Sequence, residues 1–206
     1  MKLYTFDAAP NPRRLGMFLN YKGIDLETEQ VDLMKLAQFS DSFRAINPDC
    51  SVPTLQLDDG STLIDVVAIC LYLETQYPEK PLMGRSDLER AQVIGWMHRI
   101  FLNGFMPVAE MLRNQGDTFK GRALPGPAPC EQIPELVNRG RQRLSAFFNS
   151  IDGHLAGREY IVADALSQAD IDVIAVCEFA GWVKEQVPAS CSHLLAYVEK
   201  VRAELG

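Results

Sequence analysis

The residues with chemistry in them gather first at Asn47-Pro48-Asp49-Cys50-Ser51-Val52-Pro53-Thr54-Leu55 and at Ile64-Asp65-Val66-Val67-Ala68-Ile69. Val52-Pro53 leads into an alternating apolar run, Thr54 to Leu57. Proline cannot donate to a sheet ladder, so it belongs at the first residue of a strand. That leaves the main-chain amide of Val52 to pair with another peptide's backbone, much as an added strand would. Asp65 opens an apolar helix, Val66 to Tyr77, and a helix start presents unpaired N–H groups that attract anions. Both features suit one small peptide-like ligand.

A third stretch, Pro10-Asn11-Pro12-Arg13-Arg14-Leu15, opens another helix. Asn11 suits its N-cap and Pro12 its first position, so the positive end of the helix dipole faces whatever lies before it. Arg13 and Arg14 are cations in that first turn and oppose the dipole, a cost that is reasonable if one of them faces an anion. Each can equally reach solvent or pair with an acid elsewhere.

Around these stretches the periodicity predicts the elements that position them. A strand from Lys2 to Phe6 is followed by a helix with Leu15, Phe18 and Leu19 inside, closed by Gly23. A strand at Glu29 to Leu33 and a weaker helix at Lys35 to Ile46 come next. Strands Thr54 to Leu57 and Ser61 to Ile64, joined by the hairpin turn Asp58-Asp59-Gly60-Ser61, precede the helix to Tyr77. This β-α-β-α-β-β-α order implies an α/β domain with a mixed sheet, spanning residues 1–79. Residues 80–86 read as a linker, and residues 87–206 as an all-α helical bundle. In that second domain a long helix, Asp87 to Asn114, carries Val93, Trp96, Met97, Ile100 and Phe101 on one face and kinks at Pro107. Leu124-Pro125-Gly126-Pro127-Ala128-Pro129 is a loop, and Ile133 to Leu155 a second long helix. Ser167-Gln168-Ala169-Asp170 forms a capping box ahead of the helix Ile171 to Trp182, and His193 to Leu205 makes the last helix.

The 206 residues are 47% hydrophobic and 23% charged, an ordinary globular composition. A net charge of -7 argues against nucleic acid, which asks for a basic face. No apolar run is long enough to span a bilayer and none precedes the first strand, so no membrane partner is expected and the reading places the chain in the cytoplasm. The cysteines at 50, 70, 130, 177 and 191 have no zinc or redox spacing, and His98, His154 and His193 stand apart, so no metal is expected. Cys70 and Cys177 fall on apolar helix faces and read as core. Cys50 is either a small loop residue or a partner for a mixed disulfide.

Taken together, Lys2-Leu3-Tyr4, Pro10 to Leu15, Asn47-Pro48 with Ser51-Val52-Pro53, Asp65 to Ile69 with Tyr72-Leu73, and Ala165 to Ile171 resemble a cytosolic glutathione transferase of bacterial type, across essentially the whole chain. The resemblance implies a thioredoxin-like domain followed by the helical domain, glutathione as co-substrate, a small hydrophobic electrophile and a homodimer. It implies that Pro53 is cis and that the Ser51-Val52-Pro53 turn holds the cysteinyl part of glutathione. Asp65 would meet the γ-glutamyl amine. Position 66 is Val where the family has Ser or Thr, which removes a hydrogen bond to the γ-glutamyl carboxylate worth about 1.5–3 kcal/mol and leaves the Val66 amide. Lys35 matches the side chain used on the glycyl carboxylate, with Gln38 and Arg44 as competitors. Met97, Phe101 and Phe105 are assigned to the second-substrate pocket.

The reaction implied is attack by glutathione thiolate on an electrophile, disulfide or peroxide. A free cysteine thiol titrates at about 8.5, and lowering that by about two units takes about 2.7 kcal/mol of anion stabilisation. Where the family places a Tyr, Ser, Cys or Thr near the first helix, this chain has Ala8 and Ala9, so Asn11 is the side-chain donor left for the sulfur. It serves equally as a plain cap. A glutathione-dependent isomerase or dehalogenase, and a non-catalytic binding or stress-regulatory protein, fit the same scaffold.

Overall fold

The computed structural model describes every residue from Met1 to Gly206. The chain divides into two units: Met1–Lys80 with Leu124–Pro129, and Pro81–Ala123 with Cys130–Gly206.

In the first unit, β1 (Lys2–Thr5), β2 (Glu27–Gln30), β3 (Thr54–Gln56) and β4 (Thr62–Leu63) form one sheet in the order β2-β1-β3-β4. The β1–β2 pair is parallel and therefore needs a crossover, supplied by helix α1 (Pro10–Lys22). The other pairs are antiparallel, and β3 turns into β4 through Asp58-Asp59-Gly60, where Gly60 has φ 86°. Gly23 closes α1 in the left-handed region at φ 70°, the expected place for a glycine. Helix α3 (Val66–Gln76) packs on α1. Leu15 and Phe18 of α1, Ile69 and Leu73 of α3 and Leu55 of the sheet are fully buried. Lys22 fixes the far ends of these helices, donating to Glu74 at 2.9 Å and to the carbonyls of Glu79 and Lys80 at 2.7 and 3.1 Å.

Two elements differ from the sequence-based expectation. The second strand lies two or three residues earlier, because the Asp32 carboxylate accepts from the Met34 and Lys35 amides and starts a 3-10 turn, Leu33–Lys35. The helix expected from Lys35 to Ile46 is two 3-10 turns and the single turn α2 (Asp41–Arg44). Leu36 interrupts it, standing between the 3-10 turns in the left-handed region at φ 58°.

The second unit is helical: α4 (Asp87–Ile100), α5 (Met106–Arg113), α6 (Glu135–Leu155), α7 (Gln168–Ala180) and α8 (Ser192–Leu205). The long helix expected from Asp87 to Asn114 is continuous in direction but not in hydrogen bonding, because Phe101–Phe105 forms a π turn between α4 and α5. There the Met106 amide reaches back five residues to Phe101, and Pro107 next to it has no N–H to give. The Leu102 carbonyl accepts from Arg143 of α6, which also meets Glu110 at 3.2 Å. Close packing needs two glycines here. A Cβ on Gly104 would stand 2.8 Å from Val176, and one on Gly140 would stand 2.7 Å from the Pro107 carbonyl.

The capping box before α7 is present and extended. Asp170 is fully buried, and its Oδ2 accepts from the Ser167 amide at 2.8 Å and hydroxyl at 2.7 Å. Its Oδ1 accepts from the Ile161 amide at 2.8 Å and from the Tyr197 hydroxyl of α8 at 2.7 Å. Burial pushes this carboxyl above its ordinary range while the donors hold it down, and burial, with the neighbouring carboxylate, drives the Tyr197 hydroxyl well up. No helix is long and apolar enough to cross a membrane.

Each buried donor that loses its acceptor costs about 1–3 kcal/mol, so Asp170→Ala is expected to lower the unfolding free energy by about 3 kcal/mol or more. Denaturant titration followed by helical circular dichroism checks this, and a shift within about 1 kcal/mol would show that water replaces the carboxylate.

Candidate functional site

The sheet register decides which parts of the sequence can meet. Thr5, the last residue of β1, pairs with Gln30, the last of β2. Tyr4 pairs with Thr54, the first residue of β3, and Leu55 with Leu63, the last of β4. The β1–α1 loop, the turn after β2, the Val52-Pro53 entry to β3 and the start of α3 after β4 therefore lie at one end of the sheet. Three separate stretches of interest are gathered by strand pairing alone.

The turn before β3 is held from inside. The Val52–Pro53 peptide bond is cis. Asn47 is fully buried, and its Nδ2 donates to the Ser51 carbonyl at 2.9 Å, the Ser51 hydroxyl at 3.1 Å and the Thr54 hydroxyl at 2.9 Å. Its Oδ1 accepts from the Asp49 amide at 3.0 Å, and Thr54 Oγ1 donates to the Ser51 carbonyl at 3.0 Å. Ser51 is thus used structurally. Val52 packs its side chain with Tyr4, Val31 and Phe43, and its amide and carbonyl are bonded to no protein group. Cys50 is buried within this turn, in the left-handed region at φ 54°, with Sγ donating to the Pro48 carbonyl at 3.4 Å.

At α3 the sequence-based reading agrees with the geometry. Asp65 is the N-cap residue with an extended backbone, but its carboxylate makes no capping bond and is exposed. Caps of this type normally bind the N2 or N3 amide. Here the acid is left for something else, and the first-turn amides of Val66, Val67 and Ala68 stay unpaired. Val66 is buried and offers its backbone N–H as its one hydrogen-bond donor.

The α1 start corrects the assignment of Asn11 as the cap. Ala9 is the N-cap residue and Pro10 the first helical residue, because the fixed φ and missing N–H of Pro10 suit that place. The Ala9 amide turns back to Phe6 at 2.8 Å and the Arg13 amide to Ala9 at 2.9 Å. Pro10 and Pro12 have no N–H, so the first turn presents a single main-chain donor, that of Asn11. The Asn11 side chain accepts from Arg14 Nη1 at 3.0 Å through Oδ1, which turns Nδ2 away from Arg14. Arg14 is buried, and Arg13 lies on the exposed side of α1.

Other assignments move. Lys35 is 83% exposed in its side chain and pairs with Asp32 at 3.3 Å. Gln38 is 7% exposed, and its Oε1 meets no protein partner, which is unusual for a buried acceptor. Arg44 is exposed on α2. In the helical unit, Met97 is 1% and Phe105 4% exposed, both core side chains, so of the three residues assigned to the second-substrate pocket only Phe101, at 36%, reaches the surface. Periodicity placed Met97 and Phe101 on one face of the long helix, and α4 is packed against α7. Trp182, at the end of the expected helix from Ile171, is 52% exposed. Cys177 is partly buried, and loss of solvent around its sulfur pushes the thiol up to about 12, well away from reactivity.

Comparison with known proteins adds a second line of observation. The glutathione S-transferase N-terminal domain family matches residues 8–76. Glutathione S-transferase 2 of Saccharomyces cerevisiae is 30% identical over 207 residues, covering 98% of this chain and 85% of that protein. The solved structure of a glutathione S-transferase domain-containing protein from Marinobacter aquaeolei VT8 superposes with a TM-score of 0.90 at 28% identity over the whole of both chains. Maleylacetoacetate isomerase of Pseudomonas aeruginosa is 36% identical over 97 residues, 46% of this chain and of that protein.

Because Asn47 ties four groups of the turn together, Asn47→Ala is expected to cost about 2–3 kcal/mol of stability, and Asn47→Asp, which keeps the acceptor and loses the donors, nearly as much. Equilibrium denaturation measures both. An unchanged midpoint in either variant would mean that Thr54 holds the turn alone.

Proposed function

The chain belongs to the glutathione S-transferase family, and from that premise we propose that it binds glutathione at the gathered strand ends of the first unit and directs the thiolate at an electrophilic carbon. The observation that carries this reading is the pairing of an unbonded Val52 backbone beside a cis proline with an Asp65 carboxylate that makes no bond to its own helix. The Val52 amide and carbonyl would pair with the cysteinyl residue. Asp65 would take the γ-glutamyl amine, and the Val66 amide the γ-glutamyl carboxylate. Gln38, buried with an unpartnered amide oxygen, replaces Lys35 as the side chain proposed for the glycyl end.

Activation of the thiol rests on Asn11. Its main-chain N–H and its Nδ2 are two donors on one residue at the positive end of α1, and Arg14 on Oδ1 polarises the amide so that Nδ2 is the stronger donor. No hydroxyl stands at Ala8 or Ala9 to share the task. The same thiolate could attack a disulfide or peroxide. A second reading, glutathione-dependent isomerisation, is favoured by the likeness to maleylacetoacetate isomerase over 46% of the chain. We further propose that the active form is a homodimer working in the cytoplasm, as is common in the family.

Calorimetry with glutathione followed by a thiolate absorbance titration tests the reading: binding with the bound thiol pKa lowered by about one unit or more is expected. No heat at millimolar ligand would overturn it, and binding with an unshifted thiol would leave a glutathione-binding protein without activation. Val66→Ser should restore a hydroxyl beside the carboxylate and tighten glutathione binding by about tenfold, since about 1.4 kcal/mol lies within the range of one hydrogen bond. Equal or weaker affinity would show that the γ-glutamyl end lies elsewhere.

A further inference from the structure

A second polar cluster, built from Thr5, Asp7 and Gln30, stands at the gathered strand ends. The parallel register sets Gln30, the last residue of β2, beside Thr5, the last of β1, and the Val31 amide extends that pairing by donating to the Thr5 carbonyl at 2.7 Å. Just beyond Thr5 the chain reverses. The Ala9 amide reaches the Phe6 carbonyl at 2.8 Å, which makes Phe6 to Ala9 a β-turn with Asp7 and Ala8 as its central residues. The Gln30 side chain clasps the first of these. Its Oε1 accepts from the Asp7 amide at 3.3 Å and its Nε2 donates to Asp7 Oδ2 at 2.8 Å, so one amide group holds both the main chain and the carboxylate of Asp7. Thr5, itself buried, adds a longer bond from its hydroxyl to Asp7 Oδ1 at 3.4 Å.

Asp7 and Gln30 are both exposed, so water competes for each bond and the pair adds little to the stability of the fold. Its consequence is local. A four-residue turn has several backbone forms open to it, and two bonds to the neighbouring strand select one. The turn then feeds α1 without a break: Ala9 is the N-cap residue, its carbonyl accepts from the Arg13 amide at 2.9 Å, and Asn11 stands between two prolines that fix φ. Arg14 holds Asn11 through Oδ1 at 3.0 Å. The direction of the Asn11 N–H and Nδ2 is therefore set by how the chain enters α1, and that entry is set by the turn that Gln30 holds. A charge is also placed. The Asp7 carboxylate lies four residues before Asn11, where a negative charge opposes ionisation of a nearby thiol, and Gln30 keeps one of its oxygens on β2.

Resting on the proposed role of Asn11 in activating glutathione, we propose that Asp7 and Gln30 are positioning residues for that activation: their clasp fixes the Phe6–Ala9 turn and thereby aims the Asn11 donors at the sulfur. Neither side chain touches the glutathione. The pair acts through Asn11, so its removal is felt in the ionisation of the bound thiol and in turnover, not in unfolding.

Wild type, Gln30→Ala, Asp7→Ala, Asp7→Asn, Asn11→Ala and the double variant of Gln30→Ala with Asn11→Ala are compared by thiolate absorbance titration of bound glutathione, with calorimetry below the thiol's titration and denaturant unfolding alongside. Gln30→Ala and Asp7→Ala should each raise the bound thiol pKa by about half a unit or more, with glutathione affinity within about twofold of wild type and the unfolding midpoint nearly unchanged. Asp7→Asn keeps the main-chain amide and a side-chain oxygen for Gln30, so its thiol should stay at the wild-type pKa or fall slightly below it, because a negative charge is gone. The double variant should match Asn11→Ala. A wild-type pKa in both alanine variants overturns the inference and leaves the glutathione site standing, as does a lowered pKa in Asp7→Ala, which would make Asp7 a charge and no more. Additive shifts in the double variant overturn the route through Asn11. An unshifted thiol in wild type, or a wild-type pKa in Asn11→Ala, overturns the reading of Asn11 and the inference together. Losses confined to stability or affinity would make the clasp a structural tie and overturn its positioning role.

Discussion

The buried amide of Asn47 is the constraint on which the candidate site depends. A turn that leaves the Val52 backbone unbonded gives up main-chain pairing, and unpaired groups make a backbone mobile. Asn47 resolves this by satisfying the neighbours of Val52 from inside: Ser51 and Thr54 on one side, Asp49 on the other. Val52 is then fixed without being used. The side chain of Val52, seated against Tyr4 and Phe43, fixes the same residue from the sheet side. Reactive geometry at the surface is set by groups that never reach it.

The same division recurs at the helix starts. In α1 two prolines strip the first turn of donors until one amide is left, and Arg14 holds the side chain of that same residue. In α3 the cap acid is released from its own helix. In α7 the opposite choice is made: Asp170 satisfies the amides of Ser167 and Ile161 and also the Tyr197 hydroxyl, and nothing is left over for a ligand. Whether a helix start is a binding device or a folding device follows from whether its carboxylate is taken. All three starts carry an Asp or Asn within their first residues, so residue type alone does not separate them.

That explains how much of this protein could be read from its sequence. The β3–β4 hairpin, the cap at Asp65, the closing Gly23 and the box at Ser167-Asp170 rest on local stereochemistry, and a few adjacent residues determine them. The α1 cap was misplaced by two positions, at Asn11 instead of Ala9, because two prolines and one asparagine allow two registers, and the choice was made by the Ala9 turn back to Phe6. The broken helix after β2 turned on Leu36, whose left-handed backbone no propensity would suggest. Met97 was placed on the right face, but a periodic face does not say whether another helix covers it. Gln38 was named only as a competitor. Its significance is an unpartnered atom in a buried place, a property of three dimensions. The apolar segment 124–129 read as a loop, correctly, with nothing in the sequence to say that it lies on Asp49.

The π turn at Phe101–Phe105 has a bearing on how the chain could change in length. A π turn holds one residue more than the α turn it replaces, so it is the natural place for a single residue to be lost. Such a deletion would restore ordinary hydrogen bonding and leave everything that follows in nearly the same phase, because one turn remains one turn. Glu110 would keep Arg139 and Arg143, and the Pro107 carbonyl its place against Gly140. The extra residue is thus absorbed within one turn, and a homologue that lacked it could keep the contact between α5 and α6.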